Sequence, residues 1–370
     1  ASVRAVVTRP GSGRTWLADV PAPVIQRPED VLVRILRVGV CGTDRHVIER
    51  GSLRALPAGD GHLVLGHEAV GRVIEVGPGV HAFRVGDLVV PTVRRGCGEC
   101  DSCAVDQADL CYTGRVRERG IVGLHGFLAE RIVERQQHLI GVPEELASVA
   151  PLVESLCTPE KALRRIGNAR AHLPTTSRLF AGVRRALVTG SGPIALLAVL
   201  ALRVRDIPTW LLARQPPTAT AAGLAERSGA TYVPLQEVDL EQPRARLGEF
   251  DAIIEATGAV ELSVAMLRAL APNGVLDLVG GVAEDKAVPL EAATLGAMVG
   301  RNLTLLGSVN ASAADWHAAV DDLLAMRTRF DGAVEALITH VFSIGDVELA
   351  FRRTPGQIKA IVDLDRPVSP

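Results

Sequence analysis

Four cysteines, Cys97, Cys100, Cys103 and Cys111, fall within one short run, GCGECDSCAVDQADLC. Their spacing is C-x2-C-x2-C-x7-C. Two-residue gaps let neighbouring thiolates turn inward onto one ion, and four soft sulfurs suit a closed tetrahedral zinc site. A fifth cysteine, Cys41, lies far upstream in VGVCGTDRH, and His67 and Glu68 follow in LGHEAVGRV. A mixed set of donors is the kind that leaves a position open for chemistry. One metal for shape and another for reaction is the expectation. The competing reading of the clustered four is a pair of disulfides. Disulfide scaffolds are usually short secreted chains, whereas this one has 370 residues. Cys157, the sixth cysteine, reads as a small buried hydrophobe.

A second chemistry is written in Gly190-Ser191-Gly192-Pro193-Ile194-Ala195, a G-x-G-x-x-A turn. A strand-like run (Ala186–Thr189) leads in and a helix-like run leads out. The first glycine permits the tight turn, and the second lets backbone approach a pyrophosphate. The small third residue lets helix pack on strand. The helix start then offers free N–H groups and a positive dipole end. NAD-preferring folds place an acid at the end of the next strand. Here the run is Leu212-Ala213-Arg214-Gln215, with no acid. Arg214 leaves room and charge for a 2′-phosphate, which favours NADP over NAD, unless it is only a solvated loop-edge arginine.

The elements that must carry these residues change character along the chain. The first ~150 residues are short β-runs such as RAVVT, DVLVRILRVGV, AVGRVIEVG and DLVVPTV, broken by Gly and Pro, as in an antiparallel barrel-like domain. From about Pro159 helix-length segments alternate with β-runs: RRALVTG, PIALLAVLALRV, TWLLA, TAAGLAERSGA, TYVPL, FDAIIEATG, GVLDLVGG and LTLLGSV. SVAMLRALAPNG reads as a helix ended by Asn273-Gly274, and Gln215-Pro216-Pro217-Thr218 as a loop. Alternating β and α elements imply a parallel sheet covered by helices. The tail opens with a helix, DWHAAVDDLLAMR, and ends in IKAIVDL.

Composition narrows the function classes. Aromatics make up only 3% of the chain, so aliphatic residues must fill the core. A net charge of −2 with mixed signs gives no polyanion-binding face, so nucleic acid is not expected. The longest apolar run, Ile194–Leu202, is far short of the ~20 residues of a membrane span. The start, ASVRAVVTRPGSGR, reads as a first strand and not a signal peptide, which points to the cytoplasm.

The stretches CGTDRHVIERGSLRALP, HLVLGHEAVGRV, VGDLVVPTVRRGCGECDSC, LVTGSGPIA and FDAIIEATGA together resemble the zinc-dependent medium-chain alcohol dehydrogenases. Within that family they look closest to the glucose dehydrogenase branch of archaeal type. The resemblance spans nearly the whole chain. It implies an α/β fold of two parts. A GroES-like, β-rich catalytic domain would take residues 1–180 and 311–370, with the structural zinc lobe at 95–113. A Rossmann doubly wound parallel sheet would take 181–310. It also implies a homodimer or homotetramer.

The resemblance further assigns roles. Cys41 and His67 match the catalytic zinc ligands, and either Glu68 or Glu154 completes the set, since the family uses both. Neighbours on a strand face opposite ways, so His67 and Glu68 can ligate together only from an irregular segment. Thr43 and His46 match the proton relay, the histidine being a departure towards the alcohol pattern. Asp44 matches an acid that orients His67. Cofactor contacts fall on Gly190, Gly192, Pro193, Ile194, Arg214, Thr257, Gly258, Val309 and Asn310. Among the sugar-binding positions, Glu118 is kept. Val93 stands for an Asn, Thr158 for an Asp, and Asp315 loosely for a His. Lost hydrogen-bond partners are costly against a hydroxyl-bearing substrate, so plain glucose is disfavoured. A modified sugar, an aminosugar paired to Asp315, a cyclitol or another secondary alcohol is expected, unless Asp315 only caps a helix. Two other functions compete: an NADPH-dependent reductase of conjugated C=C or iminium bonds, and a non-catalytic NADPH-binding protein. The presence together of Cys41, Thr43, His46, His67 and Glu154 argues for carbonyl chemistry.

Overall fold

The run RAVVT lies in strand β1 (Ser2–Thr8), DVLVRILRVGV forms β2 (Asp30–Val40), and AVGRVIEV lies in β3 (Glu68–Val76). The computed structural model describes residues 1–174, 180–216, 219–282 and 287–366. The chain divides into two units. One takes Ala1–Glu154, Ser312–Val320 and the chain from Ile338 onward; the other takes Ser155–Ala311 and Asp321–Leu337.

In the first unit β2 pairs antiparallel with β3, and its register shifts at Leu32/Val33 and Ile35/Arg37. Such bulges bend a strand and help a sheet curl. The late strand Lys359–Asp363 runs antiparallel along the other side of β2. These strands belong to a seven-stranded sheet, and β1 belongs to a smaller one with Thr15–Pro21 and Leu63–Val64. The core is aliphatic, as the scarcity of aromatics requires: Val31, Val33, Ile35, Val38, Leu63 and Leu65 pack around Phe127. Full burial of each such side chain contributes roughly 1.5–3 kcal/mol. Helix α1 (Gly42–Arg50) follows β2 at once. The cysteine region is held by a small sheet of Arg94–Arg95, Arg117–Arg119 and Gly123–Leu124, too short to stand out as strands in the sequence.

Helix α2 (Leu152–Arg170) runs through Pro159, although a proline usually marks a boundary. From Ser155 on it belongs to the second unit. Lys161 bonds the carbonyl of Val309, and Arg170 those of Ala181 and Asn273. The division therefore falls inside this helix rather than near residue 180. Arg205 draws residues past 320 into the same unit through Asp322, while also bonding Glu160.

The second unit is built on six parallel strands: β4 (Ala186–Thr189), β5 (Thr209–Ala213), β6 (Thr231–Pro234), β7 (Phe250–Glu255), β8 (Leu270–Leu278) and β9 (Thr304–Gly307). Their order is β6-β5-β4-β7-β8-β9, with the sequence order of the strands reversing between β4 and β7. Helix α3 (Pro193–Val204) spans PIALLAVLALRV and buries Ala195 through Leu202. The expected helix SVAMLRALAPNG stops earlier, at Leu267, and Asn273-Gly274 lies inside β8. Asn273 takes φ +59° close to a register shift between Phe250 and Ala252, so here the pair serves an irregular strand rather than a helix end. Helix α4 (Ala292–Gly300) was not foreseen, and α5 (Ala313–Arg329) covers DWHAAVDDLLAMR. Pro217 and Thr218 of the expected loop lie outside the described residues. No helix among the described residues is long and apolar enough to cross a membrane.

Candidate metal centres and cofactor site

Cys41 is the residue between β2 and α1, and its backbone N–H donates to Asp44 Oδ2 at 2.8 Å. His67 sits at a bend and Glu68 opens β3, so the two neighbours escape strand alternation and face one point. Gly66 makes that bend at φ +87°, where a Cβ would lie 2.8 Å from Val38 Cγ1. The donor atoms of Cys41, His67 and Glu68 all lie within 4.8 Å of one another. Asp44 Oδ1 approaches His67 Nδ1 to 3.2 Å, and both residues are buried. That contact lacks good hydrogen-bond geometry, and neither atom has another hydrogen-bond partner among the described residues. A proton on Nδ1 facing the acid leaves Nε2 for a metal. Burial pushes the Asp44 carboxyl up, but the charge of His67, the Cys41 N–H and Lys359 outweigh it and hold the group below the usual range. Burial lowers His67, yet Asp44 and Cys41 raise it well above an ordinary imidazole. A half-buried thiol gathered this closely with a buried imidazole and carboxylate is a donor set fit for a cation.

Glu68 has a partner that the sequence reading missed. Lys359 Nζ donates to both of its oxygens, at 2.7 and 2.6 Å, and both residues are buried. The register explains the meeting: Glu68 lies opposite Gly39 on β2, and Val40 lies opposite Ala360. A Cβ on Gly39 would overlap the Glu68 carboxylate, so the position requires glycine. A lysine in the apolar run IKAIVDL was the available signal, since an unpaired lysine is almost never fully buried. Glu154, in the first turn of α2, lies outside the three-residue donor set. Burial pushes its carboxyl up to about 7, while His67 pulls it down and Glu68 pushes it up. It nevertheless keeps partial solvent access.

Thr43 Oγ1 lies 3.7 Å from Cys41 Sγ. His46 is exposed three residues further along α1, on the same face as Thr43. Glu118 pairs with Arg94 at 3.1 Å across the small sheet. Thr158 is half-buried one turn after Glu154 in α2. Asp315 sits in the first turn of α5, and its Oδ2 accepts the Ser312 N–H at 2.8 Å and hydroxyl at 2.7 Å. That is the acid half of a capping box, so Asp315 serves the helix start.

The cysteine lobe gathers as its spacing predicts. The sulfurs of Cys97, Cys100, Cys103 and Cys111 lie within 4.8 Å of one another, and all six cysteines are free thiols. The backbone N–H groups of Glu99 and Cys100 point at Cys97 Sγ. The Thr113 hydroxyl lowers the Cys111 thiol to about 5. The Gly98 N–H lowers Cys103, but burial and the three other thiols outweigh it and push it up to about 11. Thiols that compete for protons in this way suit one shared cation.

In the second unit Gly190 takes φ +111°, and Gly192 is the N-cap of α3 with Pro193 and Ile194 in its first turn. A Cβ at Gly192 would meet no protein atom, which leaves open the approach a phosphate needs. Buried Glu255, another residue the sequence reading missed, ties this edge together. It accepts from the hydroxyls of Thr189 and Thr257 and from the N–H groups of Thr257 and Gly258. Arg214 stands exposed just past β5. Val309 is 69% exposed, and Asn310 holds φ +61°.

Comparison with known proteins decides the family. Residues 27–144 match the alcohol dehydrogenase GroES-like domain, and residues 147–364 match the glucose dehydrogenase C-terminus. The chain belongs to the zinc-dependent medium-chain alcohol dehydrogenases, in their glucose dehydrogenase branch. It is an oxidoreductase with a GroES-like domain and a Rossmann-like parallel sheet. Glucose 1-dehydrogenase 2 of Vulcanisaeta moutnovskia is 36% identical over 366 residues, covering 98% of this chain and 99% of the relative. Glucose 1-dehydrogenase of Methanocella arvoryzae is 34% identical, covering 90% and 92%. The structure of Haloferax mediterranei glucose dehydrogenase in complex with NADP, Zn and gluconolactone superposes with a TM-score of 0.88 at 33% identity, covering 98% and 100%.

Proposed function

We propose that this chain transfers a hydride between NADP(H) and a secondary alcohol or ketone of a sugar-like molecule, a sugar or cyclitol before a simple alcohol. The observation that carries the reading is the convergence of Cys41, His67 and Glu68 on one point, with Asp44 behind the imidazole. Full-length similarity to an enzyme crystallised with NADP, Zn and gluconolactone supports it. The aminosugar reading loses the carboxylate that prompted it, because Asp315 is engaged in capping α5.

Cys41 and His67 would hold the catalytic zinc, and Cys97, Cys100, Cys103 and Cys111 the structural one. Both Glu68 oxygens are already bonded by Lys359. Glu68 stands in the donor set with Lys359 balancing its charge, and Glu154, in the first turn of α2, is the alternative carboxylate ligand. Zinc in this set supplies Lewis acidity toward the substrate oxygen, and NADP supplies the hydride acceptor. Thr43 takes the hydrogen bond of the substrate hydroxyl, and His46, at solvent, releases its proton. Gly190, Gly192, Pro193 and Ile194 cradle the pyrophosphate, and Arg214 takes the 2′-phosphate. Thr257, Gly258, Val309 and Asn310 line the rest of the cofactor. Glu118 and Thr158 are the candidate substrate contacts that the family resemblance supplies. Reduction of conjugated bonds, and binding of NADPH without catalysis, are disfavoured because Cys41, Thr43, His46, His67 and Glu154 are all retained.

A homodimer fits the exposed apolar residues Leu295 and Val299 on α4 and Leu305 on edge strand β9. A tetramer would add a second interface. Free thiols suit the cytoplasm. The test is NADPH formation followed by absorbance over sugars, aminosugars, cyclitols and simple alcohols, together with zinc analysis. Two zincs per chain, falling to one in Cys41→Ser, are expected. One zinc in the parent enzyme, unchanged by Cys41→Ser, would remove the catalytic assignment.

A further inference from the structure

Asp277, the next-to-last residue of β8, is fully buried. Its Oδ2 accepts the Ser308 hydroxyl at 2.8 Å, and its Oδ1 has no hydrogen-bond partner among the described residues. Ser308 Oγ also receives Arg165 Nη1 at 3.1 Å, and the same guanidinium bonds the Gly307 carbonyl. One turn earlier on α2, Lys161 Nζ donates to the Val309 carbonyl at 2.9 Å. Lys161 is itself buried, where an ammonium must be held by its partners. Burial pushes the Asp277 carboxyl up to about 6, while Ser308, Arg165 and Lys161 pull it down. Two cations from one helix and one acid from a neighbouring strand thus converge on the turn at 307–310. Asn310 completes that turn in the left-handed region, where a non-glycine residue stays only if its surroundings hold it.

The place of this turn gives it a role. Dinucleotides bind across the carboxyl ends of such a sheet, at the point where strand order reverses. Here that point lies between β4 and β7. The glycine turn after β4 takes the pyrophosphate, and Arg214 after β5 marks the adenosine side. The nicotinamide half then falls toward β7, β8 and β9, and the turn at 307–310 follows β9 directly.

We propose that Asp277 is a positioning residue for the cofactor: through Ser308, and together with Arg165 and Lys161, it fixes the turn that presents Val309 and Asn310 to the nicotinamide end of NADP. This rests on the cofactor reading given above. The test uses full-length Asp277→Asn and Ser308→Ala, with binding of NADP+ and of 2′-phospho-ADP-ribose, which lacks nicotinamide, measured by calorimetry. NADP+ binding is expected to weaken about five- to tenfold, the scale of one lost buried hydrogen bond, while the fragment binds as before. Ser308→Thr, which keeps the hydroxyl, should restore the parent affinity. Equal weakening for both ligands, or unchanged NADP+ binding, would overturn the positioning role. Should Asp277→Asn fail to fold, Ser308→Ala and Ser308→Thr carry the same comparison. A parent enzyme that binds neither ligand would overturn the cofactor reading itself, and the positioning role with it.

Discussion

Lys359 and Arg214 show how differently single residues reveal themselves. Arg214 drew notice in the sequence because a dinucleotide fold fixes the place where an acid or a base must stand. We predict that Arg214→Asp lowers the preference for NADPH over NADH, read as the ratio of kcat/KM for the two cofactors. An unchanged ratio would make Arg214 a solvated surface residue. Lys359 was not legible, because its partner Glu68 lies nearly three hundred positions away and only the sheet register joins them. Removing one partner leaves a buried charge uncompensated. We predict that Lys359→Ala costs about 3–5 kcal/mol in denaturant unfolding. Lys359→Ala with Glu68→Gln should recover part of that loss. Asp315 teaches the opposite caution. An acid near an expected substrate position had a local use, and a serine three residues earlier was the signal.

At the scale of elements, periodicity and turn chemistry located most strands and helices. PIALLAVLALRV and DVLVRILRVGV match their elements end to end. Short pairings escaped, such as Arg94–Arg95 with Arg117–Arg119, because two or three residues carry no period. Asn273-Gly274 misled because a positive φ serves a strand irregularity as readily as a helix stop. The edge of the parallel sheet carries its own prediction. Leu305 on β9 and Val299 on α4 are exposed, at 45% and 82%. An apolar sheet edge is a ready site for pairing with a second copy. We predict that Leu305→Lys with Val299→Asp shifts the mass measured by light scattering toward monomer while the circular dichroism spectrum is kept. An unchanged mass would remove this edge as an interface between copies.

For the whole molecule, buried titratable groups set the response to pH. Glu160 and Asp322 share Arg205 in the second unit. Burial drives Glu160 up to about 8; Arg205 pulls it down and Asp322 pushes it up. A carboxyl raised on folding contributes stability that is full below about pH 4.5 and lost as pH rises toward 8. We predict that the melting temperature falls across that window and that Glu160→Gln flattens the fall. A parallel fall in the variant would assign the slope to other groups. The cysteine cluster and the glycine turn were readable because each rests on local spacing, whereas the pairing of Cys41 with His67 was expected only from the family resemblance. The position of the division, inside α2 rather than near residue 180, was not readable. It depends on which backbone carbonyls Lys161 and Arg170 reach, and that is decided only once the chain has folded.

The first unit is closed by its own tail, with consequences for biosynthesis. While the ribosome still holds Lys359–Asp363, the Arg37–Val40 end of β2 lacks its partner on one side. At that stage the Glu68 carboxylate has no ammonium to meet it. Arg131–Arg135 already covers the start of that side, so the bare stretch is Arg37–Val40, and it stays bare until Lys359–Asp363 has emerged. A nonsense mutation that spares every residue proposed to bind zinc or nucleotide but removes the chain from Lys359 onward would still yield a protein prone to aggregate.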